Sequence, residues 1–193
     1  ILCENKPGYA RKQKFTKAHK ARNTKKNKEM RGYATMIKVL FICHGNICRS
    51  PMAEFVLKDM VKSCGIAEQF EIASAATSTE EIWDGLGNPV YPPAKAELER
   101  HGISCEGKRA VLLKASDYDE YDYLIGMDSM NIRNMERMTG HVRGEKIHKL
   151  LKFAGSEADC QDPWYSGQFD VTYREVVAGC EGLLKYLKEE GKL

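Results

Sequence analysis

A cysteine, an arginine and a serine lie close together in the segment from Cys43 to Ser50, which has the form Cys-x5-Arg-Ser. A loop of this length that closes onto a helix N-terminus brings several backbone N–H groups to one point, where they bind an anion. Arg49 can then bring its planar guanidinium to two phosphate oxygens at once. Cys43 lies in the same positive field, which favours the thiolate over the thiol. The segment therefore predicts a nucleophile for phosphoryl transfer in a phosphate-sized pocket.

The residues on either side of this segment predict the elements that such a loop needs. The apolar run 37–42 has the length and the Ile, Val and Phe content of a buried strand in a parallel sheet. Ser50 and Pro51 predict a helix start, with Ser50 as the N-cap and Pro51 in the first turn. Gly45 is expected to let the backbone turn tightly between the two elements. The alternative is a buried strand-end cysteine with Arg49 on the surface, and the flanking strand, glycine and helix start all disfavour it.

The rest of the chain alternates between strand and helix patterns. This alternation predicts a single α/β domain with a four-stranded, mainly parallel sheet flanked by helices in three layers, flavodoxin-like or Rossmann-like, with the phosphate-binding loop after the first strand. Ligands of such sheets bind at the carboxyl ends of the strands, where Cys43 and Asp128 fall. The other predicted strands lie near 70–73, 123–127 and 146–151, a Ser-, Thr- and Gly-rich loop covers 74–93, and helices cover 94–100, 132–138 and 173–187.

Composition bounds the class of protein. The 193 residues, 42% hydrophobic and 30% charged, suit one globular domain with some excess chain. No apolar run reaches the roughly 18 residues of a membrane span, and the first residues lack the apolar core of a secretory signal. The seven cysteines are odd in number and scattered, unlike a disulfide framework. We therefore expect free thiols in a reducing compartment, the cytoplasm.

Charge divides the chain into a basic tail, 1–35, predicted to be disordered, and a folded domain, 36–193. Residues 1–35 carry 11 Lys or Arg and 2 Asp or Glu, a net charge of +9, which leaves −6 for the rest of a chain of net charge +3. The tail could contact nucleic acid or anionic lipid, act as a targeting segment, or be foreign to the natural protein, since the chain begins with Ile1 and Met36 stands where a start methionine would fit. No motif that reads nucleic acid supports the first interpretation, so nucleic-acid binding is not expected.

Three blocks of the sequence resemble the low-molecular-weight protein tyrosine phosphatase family. The first runs from Val39 through the Cys-x5-Arg-Ser segment to Glu54, the second is Met127-Asp128, and the third is Asp162-Pro163-Trp164-Tyr165. The resemblance covers residues 36–190. It implies a phosphatase that hydrolyses protein phosphotyrosine and aryl phosphates through a cysteinyl-phosphate intermediate.

The resemblance implies catalytic roles for three residues. Cys43 would attack phosphorus, Arg49 would hold the phosphate, and Asp162 would protonate the leaving phenolate and then activate water. Trp164 and Tyr165 would form an aromatic wall against the phenyl ring, or would only anchor their loop. The substrate-binding residues that it implies are His44, Gly45, Asn46, Ile47, Cys48, Arg49, Ser50, Trp164 and Tyr165.

The resemblance also implies supporting roles around the nucleophile. Asn46 would hold the loop backbone, and Ser50 would donate a hydrogen bond to the thiolate. His101 would hydrogen-bond to this network, and Asp128 would support the site from the end of the third strand. Trp83 would line the pocket.

Cys48 would form a reversible disulfide with Cys43 and protect it from irreversible oxidation, although a purely structural role fits the sequence equally well. No cofactor or metal is implied, and the five histidines are dispersed. The expected partners are a phosphotyrosine protein or peptide as substrate and phosphate as product, without a membrane. The sequence makes no prediction of the oligomeric state.

Three other activities on the same loop are less favoured. Arsenate reductases of this fold need two further cysteines on a mobile segment, and only Cys105 lies in that region. Protein-arginine phosphatases usually carry Thr where this chain has Ile47, whose branched hydrocarbon would crowd a phosphoguanidinium group. A phosphotyrosine-binding module would be expected to have lost Cys43, Arg49 or Asp162, and all three are present.

Overall fold

The computed structural model describes residues 36–142 and 145–193. The basic tail 1–35, and with it the prediction of its disorder, lies outside the described residues. The described part opens with strand β1, Ile37–Cys43, and ends with the longest helix, Phe169–Glu189.

The central sheet has four strands, all parallel. Strand β1 pairs on one side with β2, Phe70–Ala76, and on the other with β5, Tyr123–Gly126, which pairs in turn with β6, Ile147–Lys149. The order is therefore β2-β1-β5-β6. A small antiparallel hairpin follows β2 and consists of β3, Ile82–Trp83, and β4, Leu86–Gly87.

Helices cover both faces of this sheet. Alternate residues of β1 point to opposite faces, so Val39 and Phe41 join one hydrophobic cluster while Leu40 and Ile42 join another. The predicted three-layer α/β domain is confirmed. The first cluster packs under three helices: α1, Arg49–Ser63, α2, Pro92–Arg100, and α6, Phe169–Glu189. The second cluster packs under α4, Ser129–Thr139, with the short helix α3, Asp117–Glu120, at its edge. One more short helix, α5, is Pro163–Ser166.

Three local predictions differ from the structure. Ser50 is not the N-cap of α1, which begins at Arg49 after Cys48, because the Ser50 hydroxyl contacts Cys43 and Asn46 instead. The predicted last strand is shorter, since a 3₁₀ turn replaces its end at Leu150–Lys152. Another 3₁₀ turn, Ala67–Gln69, precedes β2. The loop 74–93 contains the end of β2 and the whole β3–β4 hairpin.

A transmembrane helix needs about 20 consecutive, mainly apolar residues. Across 36–142 and 145–193, every helix is too short or too polar to span a bilayer.

Candidate active site

The loop between β1 and α1 surrounds the sulfur of Cys43 with hydrogen-bond donors. The Asn46 backbone N–H donates to Cys43 Sγ at 3.3 Å, and Ser50 Oγ lies 3.0 Å from the same sulfur. Ser50 lies in the first turn of α1, so the sulfur also faces the positive end of the helix dipole. Donors and dipole together stabilise negative charge on this buried sulfur.

Asn46 shapes the loop. Its φ of 57° lies in the left-handed region, which costs a residue other than glycine about 1–3 kcal/mol unless the surroundings hold it. Its buried side chain supplies that support, because Nδ2 donates to Ser50 Oγ at 2.9 Å and to Ser74 Oγ at 2.8 Å, while Oδ1 accepts from the Val111 N–H at 3.1 Å. The predicted role of Asn46 in holding the backbone agrees with these contacts.

Gly45 serves a different purpose from the one predicted. It is absent from the residues of positive φ, so the tight turn depends on Asn46 and not on glycine's conformational freedom. A Cβ atom at Gly45 would lie 2.9 Å from Glu81 Cγ, closer than van der Waals contact allows. Gly45 therefore leaves room for the Glu81 side chain in the segment after β2.

Arg49 faces the pocket as a buried cation held between two carboxylates. Its Nη1 donates to Asp128 Oδ2 at 2.7 Å and to the Cys160 carbonyl at 3.3 Å, and its Nη2 donates to Asp162 Oδ2 at 2.6 Å. Burial alone would lower the pKa of Arg49, but the charges of Cys43, Asp162 and Asp128 outweigh burial and raise it above its usual value. The guanidinium thus remains charged in a fixed orientation.

Both carboxylates are positioned by helix starts. Asp128 follows β5 and caps α4, since its Oδ1 accepts from the Asn131 N–H at 2.6 Å. Asp162 caps the short helix α5, where its Oδ1 accepts from the Trp164 N–H at 3.1 Å. Each residue therefore has one oxygen on backbone and the other on Arg49, which fixes both side chains.

These groups line a pocket of about 150 Å³. Two adjacent acids, Glu80 and Glu81, form part of its wall, and Glu80 Oε2 lies 2.9 Å from His44 Nε2 at the mouth. The exposed ring of Trp164 packs on Tyr91 with 5.1 Å between ring centroids. The lining residues are Cys43, His44, Gly45, Ile47, Cys48, Arg49, Glu80, Glu81, Asp162, Trp164 and Tyr165.

The structure thus brings together most of the predicted site residues, with Asn46 and Ser50 bonded beneath the sulfur. It does not bring His101 to them, so that prediction is wrong. His101 Nε2 lies 3.2 Å from Glu97 Oε1, and its ring stacks on Tyr173 at 3.7 Å, because the end of α2 faces α6 and not the loop. Trp83 is also misplaced, since it sits 69% exposed on the hairpin while the pocket wall is formed by earlier residues of the same segment.

Sequence reasoning did not identify the residues beneath the loop. Ser74 accepts from Asn46 Nδ2 at 2.8 Å and donates to Glu54 Oε2 at 2.6 Å, and Lys108 Nζ lies 3.0 Å from that carboxylate oxygen. A serine in a predicted Ser-rich loop and an acid on a predicted helix are common, so their types carried no signal. Only the register of β1 with β2 brings Ser74 next to the loop.

Cys48 also lines the pocket, but its chemistry differs from that of Cys43. Burial, with added contributions from Cys43 and Asp162, raises the pKa of the Cys48 thiol far above its usual value. Cys48 is therefore a neutral thiol near pH 7, and Cys43 is the sulfur that the donors of the loop surround.

Known proteins are similar to this chain. The family model described as low molecular weight phosphotyrosine protein phosphatase matches residues 38–193. A relative from Bacillus subtilis (strain 168), named low molecular weight protein-tyrosine-phosphatase YfkJ, is 37% identical over 160 residues, which are 82% of this chain and 100% of that protein.

Solved structures agree with the sequence comparison. The crystal structure of YfkJ from Bacillus subtilis superimposes with a TM-score of 0.76 at 36% identity and covers 82% of this chain and 99% of its own. The crystal structure of DARP, drosophila arginine phosphatase, gives a TM-score of 0.71 at 28% identity and covers 79% of this chain and 98% of its own. With the family model matching four fifths of its length, the chain belongs to the low molecular weight phosphotyrosine protein phosphatase family.

Proposed function

We propose that this chain hydrolyses protein phosphotyrosine through a cysteinyl-phosphate intermediate on Cys43. The observation that carries the proposal is the sulfur itself: Cys43 Sγ receives the Asn46 N–H at 3.3 Å and lies 3.0 Å from the Ser50 hydroxyl in a pocket that Arg49 and Asp162 also line. A thiolate, a fixed cation and a carboxyl group in one pocket are the parts that phosphoryl transfer to sulfur requires.

In the first step the thiolate of Cys43 attacks phosphorus. A P–S bond forms, the bond from phosphorus to the tyrosine oxygen breaks, and Asp162 gives its proton to the departing phenolate. Arg49 contacts Asp162 through Nη2 at 2.6 Å, so a phosphoryl group that takes this N–H would separate the pair. Substrate binding would thereby release the Asp162 carboxyl group to meet the leaving oxygen.

In the second step water attacks the phosphorus of the cysteinyl-phosphate. Asp162, now ionised, takes a proton from that water, the P–S bond breaks, and phosphate leaves. Cys43 departs as a thiolate, and the hydroxyl of Ser50 at 3.0 Å stabilises the developing charge on sulfur. The same hydrogen bond therefore assists both steps.

The shape of the pocket supports an aryl substrate. Trp164 and Tyr165 supply an exposed aromatic wall, against which a phenyl ring can stack. Ile47 lines the pocket with a branched hydrocarbon. The similarity to the structure of an arginine phosphatase from Drosophila supports the second candidate, phosphoarginine, in which Ile47 would decide the preference.

The two substrates are separated by one assay. Hydrolysis of matched phosphotyrosine and phosphoarginine peptides is measured with chelator present, for the unaltered chain and for Cys43→Ser, Ile47→Thr and Cys105→Ser. Cys105 is a buried cysteine outside the pocket and serves as the control.

We expect phosphotyrosine turnover that is lost in Cys43→Ser and kept in Cys105→Ser, with any gain on phosphoarginine confined to Ile47→Thr. Phosphoarginine turnover by the unaltered chain would favour phosphoarginine, and not phosphotyrosine, as the substrate. Full activity of Cys43→Ser would overturn the mechanism.

A reducing compartment, the cytoplasm, is the setting in which this mechanism works. Cys43 must be a free thiol to act, and Cys43, Cys48, Cys105, Cys160 and Cys180 are free in the described residues. Cys64 is disulfide-bonded, so the expectation of free thiols is wrong at that position. The partners are a phosphotyrosine protein as substrate and phosphate as product.

A further inference from the structure

A buried carboxylate lies behind the nucleophile on α1. Glu54 is only 4% exposed, and both of its oxygens are engaged. Oε1 lies 2.5 Å from Lys58 Nζ, while Oε2 accepts from Ser74 Oγ at 2.6 Å and lies 3.0 Å from Lys108 Nζ. A charge at this depth is stable only when it is paired and hydrogen-bonded, as it is here.

A chain of side-chain hydrogen bonds joins this carboxylate to the sulfur of Cys43. It runs from Glu54 to Ser74 Oγ at 2.6 Å, then to Asn46 Nδ2 at 2.8 Å, then to Ser50 Oγ at 2.9 Å, and reaches Cys43 Sγ at 3.0 Å. All of the links are within 3.0 Å. The acid and the nucleophile are therefore coupled through three intermediate side chains.

The direction of each hydrogen bond follows from the ionised acid. A carboxylate only accepts, so Ser74 donates its hydroxyl hydrogen to Glu54 and its oxygen is free to accept from Asn46 Nδ2. The second Nδ2 hydrogen of Asn46 is donated to Ser50 Oγ. The Ser50 hydroxyl can then donate its own hydrogen to Cys43 Sγ. Ser50 Oγ has one other acceptor in reach, the Ala75 carbonyl, at the longer distance of 3.5 Å.

Lys108 is the more buried of the two cations that hold the acid in this state. The Lys108 side chain is 12% exposed, against 43% for Lys58. Its Nζ also donates to the Ser74 carbonyl at 3.0 Å, so it ties the acid to the backbone of β2. A partly buried pair is screened by solvent less than an exposed one, which makes Lys108 the stronger partner of Glu54.

We propose that the buried Glu54–Lys108 ion pair orients the hydrogen-bond chain that ends on the nucleophilic sulfur, which makes Lys108 a positioning residue for Cys43. Without Lys108, the Glu54 carboxylate loses its deeper cation and the tie to the β2 backbone that holds it against Ser74. Ser74 and Asn46 would then be held less firmly, and the Ser50 hydroxyl would be free to turn from the sulfur to the Ala75 carbonyl. The proposal rests on the proposed role of Cys43.

Other titratable groups lie near the sulfur and the acid, and the variants below leave them in place, apart from Lys58 in Lys58→Met. One of them is Tyr121 near the acid: burial raises the pKa of Tyr121 to about 12, with a smaller contribution from Glu54. The groups around the sulfur and its loop are Arg49, Asp128, Asp162, His44, Glu80, Glu81, Cys48 and Cys160.

The test compares Lys108→Met with Lys108→Arg, which keeps the cation, and with Lys58→Met, which removes the exposed cation from the same acid. Two measurements are made on the full chain: kcat and KM for p-nitrophenyl phosphate, and the rate of Cys43 alkylation by iodoacetamide across pH. Alkylation does not require phosphatase activity. A failure of the proposed function therefore stays distinguishable from a failure of this inference.

In Lys108→Met we expect kcat to fall roughly tenfold with KM changed less than about twofold, since hydrogen bonds to charged groups have contributions of that size. The alkylation profile should move to higher pH by about half a unit or more, because the thiolate loses part of its stabilisation. Lys108→Arg should keep kcat and the alkylation profile close to those of the unaltered chain, and Lys58→Met should change kcat and the profile only slightly.

Lys108→Met leaves Glu54 without its more buried cation, which could disturb folding, so a second variant removes both charges. Glu54→Gln combined with Lys108→Met removes both charges at once, and it should shift the alkylation profile no further than Lys108→Met alone, since both changes act on one pair. An unshifted profile in a folded Lys108→Met protein, or a further shift in the double variant beyond that of Lys108→Met, would overturn the proposal.

Discussion

The roles of the site residues depend on contacts that the sequence predicts only in part. Cys43, Arg49 and Ser50 are close in sequence, so their meeting around one sulfur could be predicted from spacing alone. Asp162 is distant in sequence, and only the family resemblance connected it to the loop. His101 could not be placed in this way, because the orientation of α2 turns it toward Tyr173 and Glu97.

The contribution of Asp162 to the rate is predicted to be larger for poorer leaving groups. Asp162→Asn keeps a side-chain oxygen for the Trp164 N–H but cannot transfer a proton, so the fold of α5 should survive. We expect kcat/KM for phenyl phosphate to fall by roughly 10²–10⁴-fold, the usual contribution of a general acid. We expect kcat/KM for p-nitrophenyl phosphate, which does not include hydrolysis of the phosphoenzyme, to fall far less. Steady-state kinetics on the two substrates checks this.

Asp170, an exposed acid paired with Arg174 on α6, provides the matched control. Asp170→Asn should leave both rates unchanged. Equal losses for both substrates in Asp162→Asn would exclude Asp162 as the proton donor.

Elements were predictable where a buried apolar run or a helical period decides them. The strands β1, β2 and β5 were predicted from short runs rich in apolar residues and the helix α6 from its period, and the structure confirms them. The β3–β4 hairpin was not predicted because its strands have only two residues each and are too short to show alternation. This hairpin follows Glu80 and Glu81, the two acids of the pocket wall that sequence reasoning also missed.

The approach of this segment to the loop makes Gly45 sensitive to substitution. Gly45→Ala would bring a Cβ to within 2.9 Å of Glu81 Cγ, so the loop or the acid must move. We expect kcat to fall about three- to tenfold with a small loss of stability, on the order of 1 kcal/mol, as for other overpacked sites. Kinetics with p-nitrophenyl phosphate and urea unfolding measure the two effects.

The compensating variant is Gly45→Ala combined with Glu81→Ala, which removes the clashing Cγ. It should recover most of the kcat that Gly45→Ala loses relative to Glu81→Ala alone. If the combined variant recovers nothing, the close approach of Glu81 is not the reason for glycine at this position.

The overall architecture was predicted most completely, because the order of strands and helices along the chain strongly limits how they can pack. Alternating elements imply a parallel sheet covered on both faces, and the sheet order β2-β1-β5-β6 with helices on each side confirms that prediction. The division of the chain at residue 36 stays a prediction, since residues 1–35 lie outside the described part.

Stability of the whole domain is predicted to depend on pH through His148 on β6. Burial, together with the charge of Lys152, lowers the pKa of His148 from 6.5. The unfolded state therefore binds a proton more readily than the folded state, so this contribution to stability is present above about pH 6.5 and is lost as the pH falls below it. Urea unfolding at pH 7.5 and pH 5.5 should show a larger drop for the unaltered chain than for His148→Phe.

The phenylalanine variant keeps an aromatic ring beside Phe153 and Tyr123, so packing is largely preserved. Equal drops in the two proteins would show that His148 does not carry the pH dependence.

The central claim is that a phosphoryl group passes through the sulfur of Cys43, and the most direct measurement is to trap it there. Asp162→Asn is mixed with p-nitrophenyl phosphate, whose leaving group needs little acid help, and is quenched within milliseconds for peptide mass spectrometry. Since Asp162 also activates water in the second step, the phosphoenzyme should accumulate, with the added phosphate on the peptide that contains Cys43. A burst of p-nitrophenol without phosphate on Cys43, or with phosphate on another residue, would contradict the account.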